Sequence, residues 1–229
     1  MTAPTSAPPL TTVLRLTALR NPDRAAHRLH RLLTEPAPAA DPPTVADLHA
    51  LRVEALLQAG HLDAALHASI KAARAAGELQ PQDWPRLITA LLIGADLAVL
   101  AGHPHAVTAC DSTRTAFTHL HQPDPTRELS AAALHAVAVY HHLDAAHGHH
   151  LLNTLARHNY PPTSQAAAIR GGLAAMHTGM SSGRLRGAQH QISPPIPGGL
   201  LHPHPTAAAT GWLAARVHAQ PAHIQTDTP

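Results

Sequence analysis

Five histidines, His141, His142, His147, His149 and His150, fall within ten residues of a 229-residue chain. Imidazoles bind metal ions and titrate near neutral pH. Helical spacing brings His142 and either His149 or His150 towards one face. Zinc sites combine three or four placed ligands, and no Cys or carboxylate motif with metal spacing accompanies this cluster. The chain holds 22 histidines in all, so the cluster is a local excess. It assigns no metal ligand, and no cofactor is implied. A sharper feature is Asp96, which interrupts the apolar run Leu91–Leu100. A carboxylate buried there unpaired costs on the order of several kcal/mol, so it needs a partner from a neighbouring helix or from a ligand. Arg20, Arg24, Arg28 and Arg31 recur at helical spacing. Such a stripe suits an acidic partner, and a solvated helix face accounts for it more simply. Aromatic residues make up only 2 % of the chain, which argues against base stacking and hence against nucleic acid. Cys110 has no catalytic signature near it and reads as a small buried hydrophobe. The chain has no Gly-rich phosphate loop, nucleophile elbow or paired-carboxylate pattern, so the expectation is a protein that is not an enzyme.

The elements that hold these residues repeat. His-Leu-Asp-Ala-Ala occurs at His61–Ala65 and again at His142–Ala146. With Arg20, Gly60, Gly102, His141 and Gly183 taken as equivalent, the steps are 40, 42, 39 and 42 residues. That is the scale of helical hairpins. Ala- and Leu-rich composition with few aromatics suits close-packed helices. Prolines break the chain at Glu35–Pro43, Gln80–Gln82, Gln122–Pro125, Pro161–Pro162 and Ser193–Gly199. Between them the hairpins read as Leu10–Leu19 with Pro22–Thr34, Thr44–Ala59 with Leu62–Ala76, and Trp84–Ala101 with Pro104–Leu120. Pro125–Tyr140 with Leu143–His158 and Thr163–Met180 with Arg184–Gln191 follow. Thr44 caps the second hairpin, and Gly77 is expected to close it in a left-handed conformation. A last helix, Pro205–Gln220, is expected to cap the open end of the stack. The expectation is an all-α chain with one repeat domain over residues 10–220, and disordered ends at 1–9 and 221–229.

The segment Ala55–Gly77 resembles the tetratricopeptide repeat, with Gly60, Ala65 and Ala72 at that family's small-residue positions. The turn Gly102-His-Pro-His-Ala106 is of a form common in it. The unit is longer than the family's 34 residues, and the family's aromatics are replaced by residues such as Leu56 and Ser69. In length it is similar to helical-repeat sensor regions of bacterial transcription regulators. The resemblance implies a right-handed α-solenoid of about five hairpins whose first helices line a groove. In the best-matched unit the groove positions would be Asp47, Ala50, Glu54, Leu57 and Gln58. Lys and Asn, which grip peptide carboxylates in some members, are absent there.

Stepping from Glu54 through the repeat gives Asp96, His135 and His177, a ladder of polar side chains on successive first helices, with Arg170 nearby as an anion contact. The reading is a non-catalytic module that binds a peptide or protein partner in its groove, in regulation or scaffolding. The alternative is a sensor of a small molecule or metal that uses the His-rich C-terminal half. Residues 145–226 contain no Asp or Glu and ten histidines. One cysteine fits a reducing cytoplasm, and the Ala, Pro and Arg bias fits an actinobacterial genome. Met1–Pro9 lacks the pattern of a secretory signal, and Leu87–Ala101 is too short to span a bilayer, so no membrane association is expected.

Overall fold

The computed structural model describes residues 20–34, 41–157, 164–181, 213–214 and 216–218. Among them are eight helices and no strand. They are α1 (Pro22–Thr34), α2 (Pro42–Gln58), α3 (Leu62–Gly77), α4 (Trp84–Leu100), α5 (Ala106–Phe117), α6 (Pro125–His142), α7 (Ala145–Arg157) and α8 (Ser164–Ser181). None is long and apolar enough to cross a membrane. The expected helices at Leu10–Leu19 and Arg184–Gln191, the two chain ends and the break at Ser193–Gly199 lie outside the described residues. The chain divides into two compact units, Met1–Asp83 and Trp84–Pro229.

In the first unit α2 packs against both α1 and α3. Helix α1 buries Ala25, Ala26 and Leu29 and turns its arginines outward. Helix α2 begins two residues before the expected Thr44, because Pro42 and Pro43 fit a first turn whose N–H groups have no intrahelical partner. Asp41 stands at the N-cap, and the Thr44 hydroxyl donates back to its carboxylate at 2.6 Å. Gly77 is helical and the chain continues through Glu78 in right-handed geometry, so the expected left-handed close is not there. The second unit runs α4 to α8, each helix packed on the next. The first helices of successive hairpins also touch, α4 with α6 and α6 with α8. Arg127 of α6 bridges the first two. It donates to its own N-cap Asp124 at 2.6 Å and to Thr89 of α4 at 2.9 Å. Trp84 and His119 stack at 4.1 Å, joining the start of α4 to the end of the α5 hairpin arm.

The turns define the repeat. Gly60 and Gly102 both have positive φ, 80° and 62°. At each, the glycine N–H bonds the carbonyl three residues back, and the next N–H bonds the carbonyl five back. This is a Schellman close, and glycine adopts its left-handed residue at no steric cost. At the third hairpin the five-back bond is Asp144 N–H to Val139. Leu143 therefore stands where Gly60 and Gly102 stand, giving steps of 42 and 41 residues. His141, the sequence's choice for that position, lies inside α6. The two copies of His-Leu-Asp-Ala-Ala thus differ in structure. In the first, Leu62 opens a helix. In the second, His142 ends one, Leu143 is 70 % exposed at the tip, and Asp144 caps the next by accepting from the N–H groups of Ala146 and His147.

With the register set by the turns, Gly148 is the counterpart of Ala65. Both lie on the second helix four residues after the turn, and both are buried. A Cβ at Gly148 would lie 2.5 Å from Tyr140 Cα and 2.6 Å from the Ala136 carbonyl oxygen, so α6 and α7 meet through backbone. Gly to Ala inside a helix ordinarily gains up to about 1 kcal/mol. Gly148→Ala is expected to reverse that sign and lower stability. Ala65→Leu is expected to cost about 1–3 kcal/mol, as overpacking does. Urea denaturation of the variants, with unchanged midpoints as the contrary result, checks both.

Candidate functional site

Asp96 is the only carboxylate in α4 and is 4 % exposed. Its partner comes from 120 residues away. Arg216 Nε donates to Oδ1 at 2.7 Å and Nη2 donates to Oδ2 at 2.9 Å. The planar fork of the guanidinium matches both carboxylate oxygens, which makes this a strong and directional pair. Arg216 is itself 8 % exposed. The short helical segment that carries it also buries Leu213 and Val217. These three residues stand at i, i+3 and i+4 and share one helix face.

The seat of this segment is built from three first helices. Helix α4 supplies Asp96. Helix α6 supplies His141, whose Nε2 donates to the Arg216 carbonyl oxygen at 2.8 Å, since a carbonyl only accepts. Helix α8 supplies Gly172, where a Cβ would come within 2.6 Å of Leu213 Cδ2 and 3.1 Å of Leu152 Cδ2. The missing side chain is thus the room that Leu213 occupies. The expected C-terminal helix was to cap the end of the stack. Its described residues lie against α8, α6 and α4, where Arg216 meets the buried charge on Asp96.

Burial governs the histidines around this seat. It pushes the His141 pKa below its usual value, helped by His142 and His218 and opposed by the bond to the Arg216 carbonyl. It lowers His142 too, with a contribution from His103. His142 Nε2 is buried with no hydrogen-bond partner among the described residues. Cys110 on α5 is 1 % exposed, and burial, then the charges of Asp96 and Asp111, push its thiol up to about 12. A thiol held that firmly protonated is no nucleophile at neutral pH.

Of the residues expected to share one groove, Asp96, His135 and His177 each meet a different partner in the second unit. Glu54, half-buried on α2, belongs to the other unit. The turn register of α4 and α6 sets Val137, not His135, opposite Asp96. His135 instead lies 3.2 Å from Asp111 of the second helix α5, and burial lowers its pKa against the pull of Asp111. His177 meets the second helix α7, its Nε2 3.3 Å from that of His149. Arg170 is exposed on α8. Arg20, Arg24, Arg28 and Arg31 are all exposed. Sequence reasoning singled out Asp96 and missed Arg216 and Gly172. The spacing Leu213-x-x-Arg216-Val217 was the available signal. The His149–His177 pair could hold an ion between two imidazoles, but no set of three His, Cys, Asp or Glu side chains converges among the described residues. Comparison of the chain with known protein families, with curated proteins and with solved structures finds no match.

Breaking the ion pair from one side deprives a buried charge of its bidentate partner. Asp96→Asn or Arg216→Met alone is expected to cost about 3–5 kcal/mol, and Asp96→Leu with Arg216→Met together much less. Equal losses for the single and double variants in denaturant titrations would contradict this. A second expectation concerns pH. The undocked His141 takes a proton near its ordinary value of 6.5, while the docked one resists it. Docking is therefore unaffected above that value and weakens as pH falls below it towards the lowered value. Hydrogen exchange at residues 213–218, corrected for intrinsic rates, should be faster at pH 5.5 than at pH 7.5 in the native chain. The difference should shrink in His141→Gln.

Proposed function

We propose that the chain is a non-catalytic helical-repeat protein that binds a helical segment of a protein partner across the first helices of the Trp84–Pro229 unit. The observation behind this reading is the seating of Leu213–His218 on α4, α6 and α8. A short helix anchored at i, i+3 and i+4 on a face made by other helices is a recurring mode of peptide recognition. The Schellman-closed hairpins and the contacts between successive first helices support kinship of form with long tetratricopeptide-like repeats, and with it a right-handed stack. A regulatory or scaffolding role in a bacterial cytoplasm fits the composition. The alternative, a small-molecule- or metal-responsive sensor using the His-rich C-terminal half, has behind it, among the described residues, the two imidazoles of His149 and His177.

The test is a random peptide library panned against the full chain carrying Leu213→Asp and Val217→Asp, so that its own segment no longer covers the face. Enriched peptides bearing a photo-crosslinker should attach to α4, α6 and α8. No enrichment by a folded variant, or attachment to α5 and α7, would refute the reading.

A further inference from the structure

Two metal-ligating nitrogens meet between α7 and α8, away from the ion pair of Asp96 and Arg216. His149 lies half-buried on α7 and His177 exposed on α8, and their Nε2 atoms stand 3.3 Å apart. The rings meet at 77°, with centroids 4.6 Å apart. Rings joined end to end across such a gap would have their centroids farther apart. The N–H···N bond between them is therefore bent as well as long, and weak on both counts.

The spacing fits a tetrahedral metal ion better. Zinc holds imidazole nitrogens at about 2.0–2.1 Å, and a tetrahedral angle then sets two of them about 3.4 Å apart. Adjacent ligands of a square-planar ion would stand closer, at about 2.9 Å. No third His, Cys, Asp or Glu converges on the pair among the described residues, so water completes the shell.

We propose that His149 and His177 form a two-imidazole site for a borderline divalent cation, zinc before others, and that the ion clips α7 to α8. The proposal goes beyond the helix-binding reading and does not rest on it, so either can fail without the other.

The chemistry of the stretch selects the ion. Imidazole suits zinc, copper and nickel, whereas magnesium and calcium prefer carboxylate oxygens. Residues 145–226 hold no Asp or Glu. Each ring turns its Nε2 lone pair to the ion and carries its proton on Nδ1. Chelation supplies the affinity. Once one ring holds the ion the second bond is intramolecular, and such linkage ordinarily gains about 10²-fold or more over a single ligand.

The position of the pair gives the clip a consequence. His149 lies one helical turn before Leu152 on α7, and His177 lies beyond Gly172 on α8. Leu152 and Leu213 both lie against Gly172. An ion shared by the two histidines fastens α7 and α8 on either side of that contact, and α8 should open less often when it is bound.

The experiment titrates zinc chloride into the full chain labelled with nitrogen-15 at histidine, and reads each ring in long-range proton–nitrogen spectra. The Nε2 signals of His149 and His177 should move first and together. His149→Ala and His177→Ala should each weaken the tightest zinc-binding step at least tenfold. The double variant should lose no more than either single one, because one ring alone is an ordinary imidazole. His150→Ala, an exposed neighbour on the same helix, should bind zinc as the native chain does. Affinity within twofold of native in both single variants would overturn the site. An equal loss in His150→Ala would replace it with a diffuse histidine surface, and earlier movement of any other ring would place the ion elsewhere. Magnesium at the same concentrations should move neither signal, and a response to it would overturn the ligand class. Should His149→Ala lose its native circular dichroism, the exposed His177→Ala decides. Hydrogen exchange then tests the clip. Zinc should slow exchange of residues 164–181 in the native chain and leave it unchanged in His177→Ala. Equal slowing in both would show that the ion does not join the two helices through this pair.

Discussion

A carboxylate sealed inside an apolar helix cannot be left alone, and in the second unit that requirement reaches across 120 residues. Asp96 stands among Leu92, Ile93, Ala95, Leu97, Ala98 and Val99, all buried. The charge must be matched in place, since the alternative is a desolvation cost of several kcal/mol. Arg216 matches it, and the consequences spread outward from that pair. The segment bearing the arginine is drawn back over α8 and α6. Its leucine needs room, and Gly172 provides it. Its backbone needs a donor, and His141 provides it, at the cost of a neutral imidazole beside other histidines.

How much of this was legible in the sequence follows from the kind of information each feature carries. The hairpins were legible because helix periodicity and turn glycines are local, and Gly60 and Gly102 close two turns with the same pair of backbone bonds. The third turn misled because its closure is made without glycine. The repeated His-Leu-Asp-Ala-Ala points to an alignment two residues away from the one that the hydrogen bonds define. Sequence identity marked similar residues, whereas the repeat is kept by which N–H meets which carbonyl. That displacement explains why His135 fell into the ladder and Val137 was overlooked. Asp96 was legible as a charge in need of a partner. Its partner was not, because a contact between residues 96 and 216 leaves no local trace in either segment.

The histidines show the same division. Their number pointed to no single site, and their surroundings separate them. His135 answers to Asp111, His177 to His149 and His141 to a carbonyl of the C-terminal segment. In the first unit His49 is kept below its usual pKa by burial and by the cations Arg52 and Lys71. His49, His135 and His141 share partial burial, which favours the neutral ring. Protonating these rings would place a charge in a partly buried setting, so each favours its packed position at pH values where it is neutral.

The choice of an ion pair to fix the C-terminal segment also bears on specificity. An apolar residue at position 96 would hold the segment by packing and would be at least as stabilising. It would also accept many apolar helices in several registers, because packing is weakly directional. A carboxylate fixes the register of the segment, because a guanidinium must fall at one point to meet both of its oxygens. That selectivity for register comes from the penalty for losing the guanidinium more than from the attraction of the match. A face of this kind gives up stability that an all-apolar contact would supply. In return, the segment is held in one register on the three helices, with Arg216 on Asp96 and its carbonyl on His141.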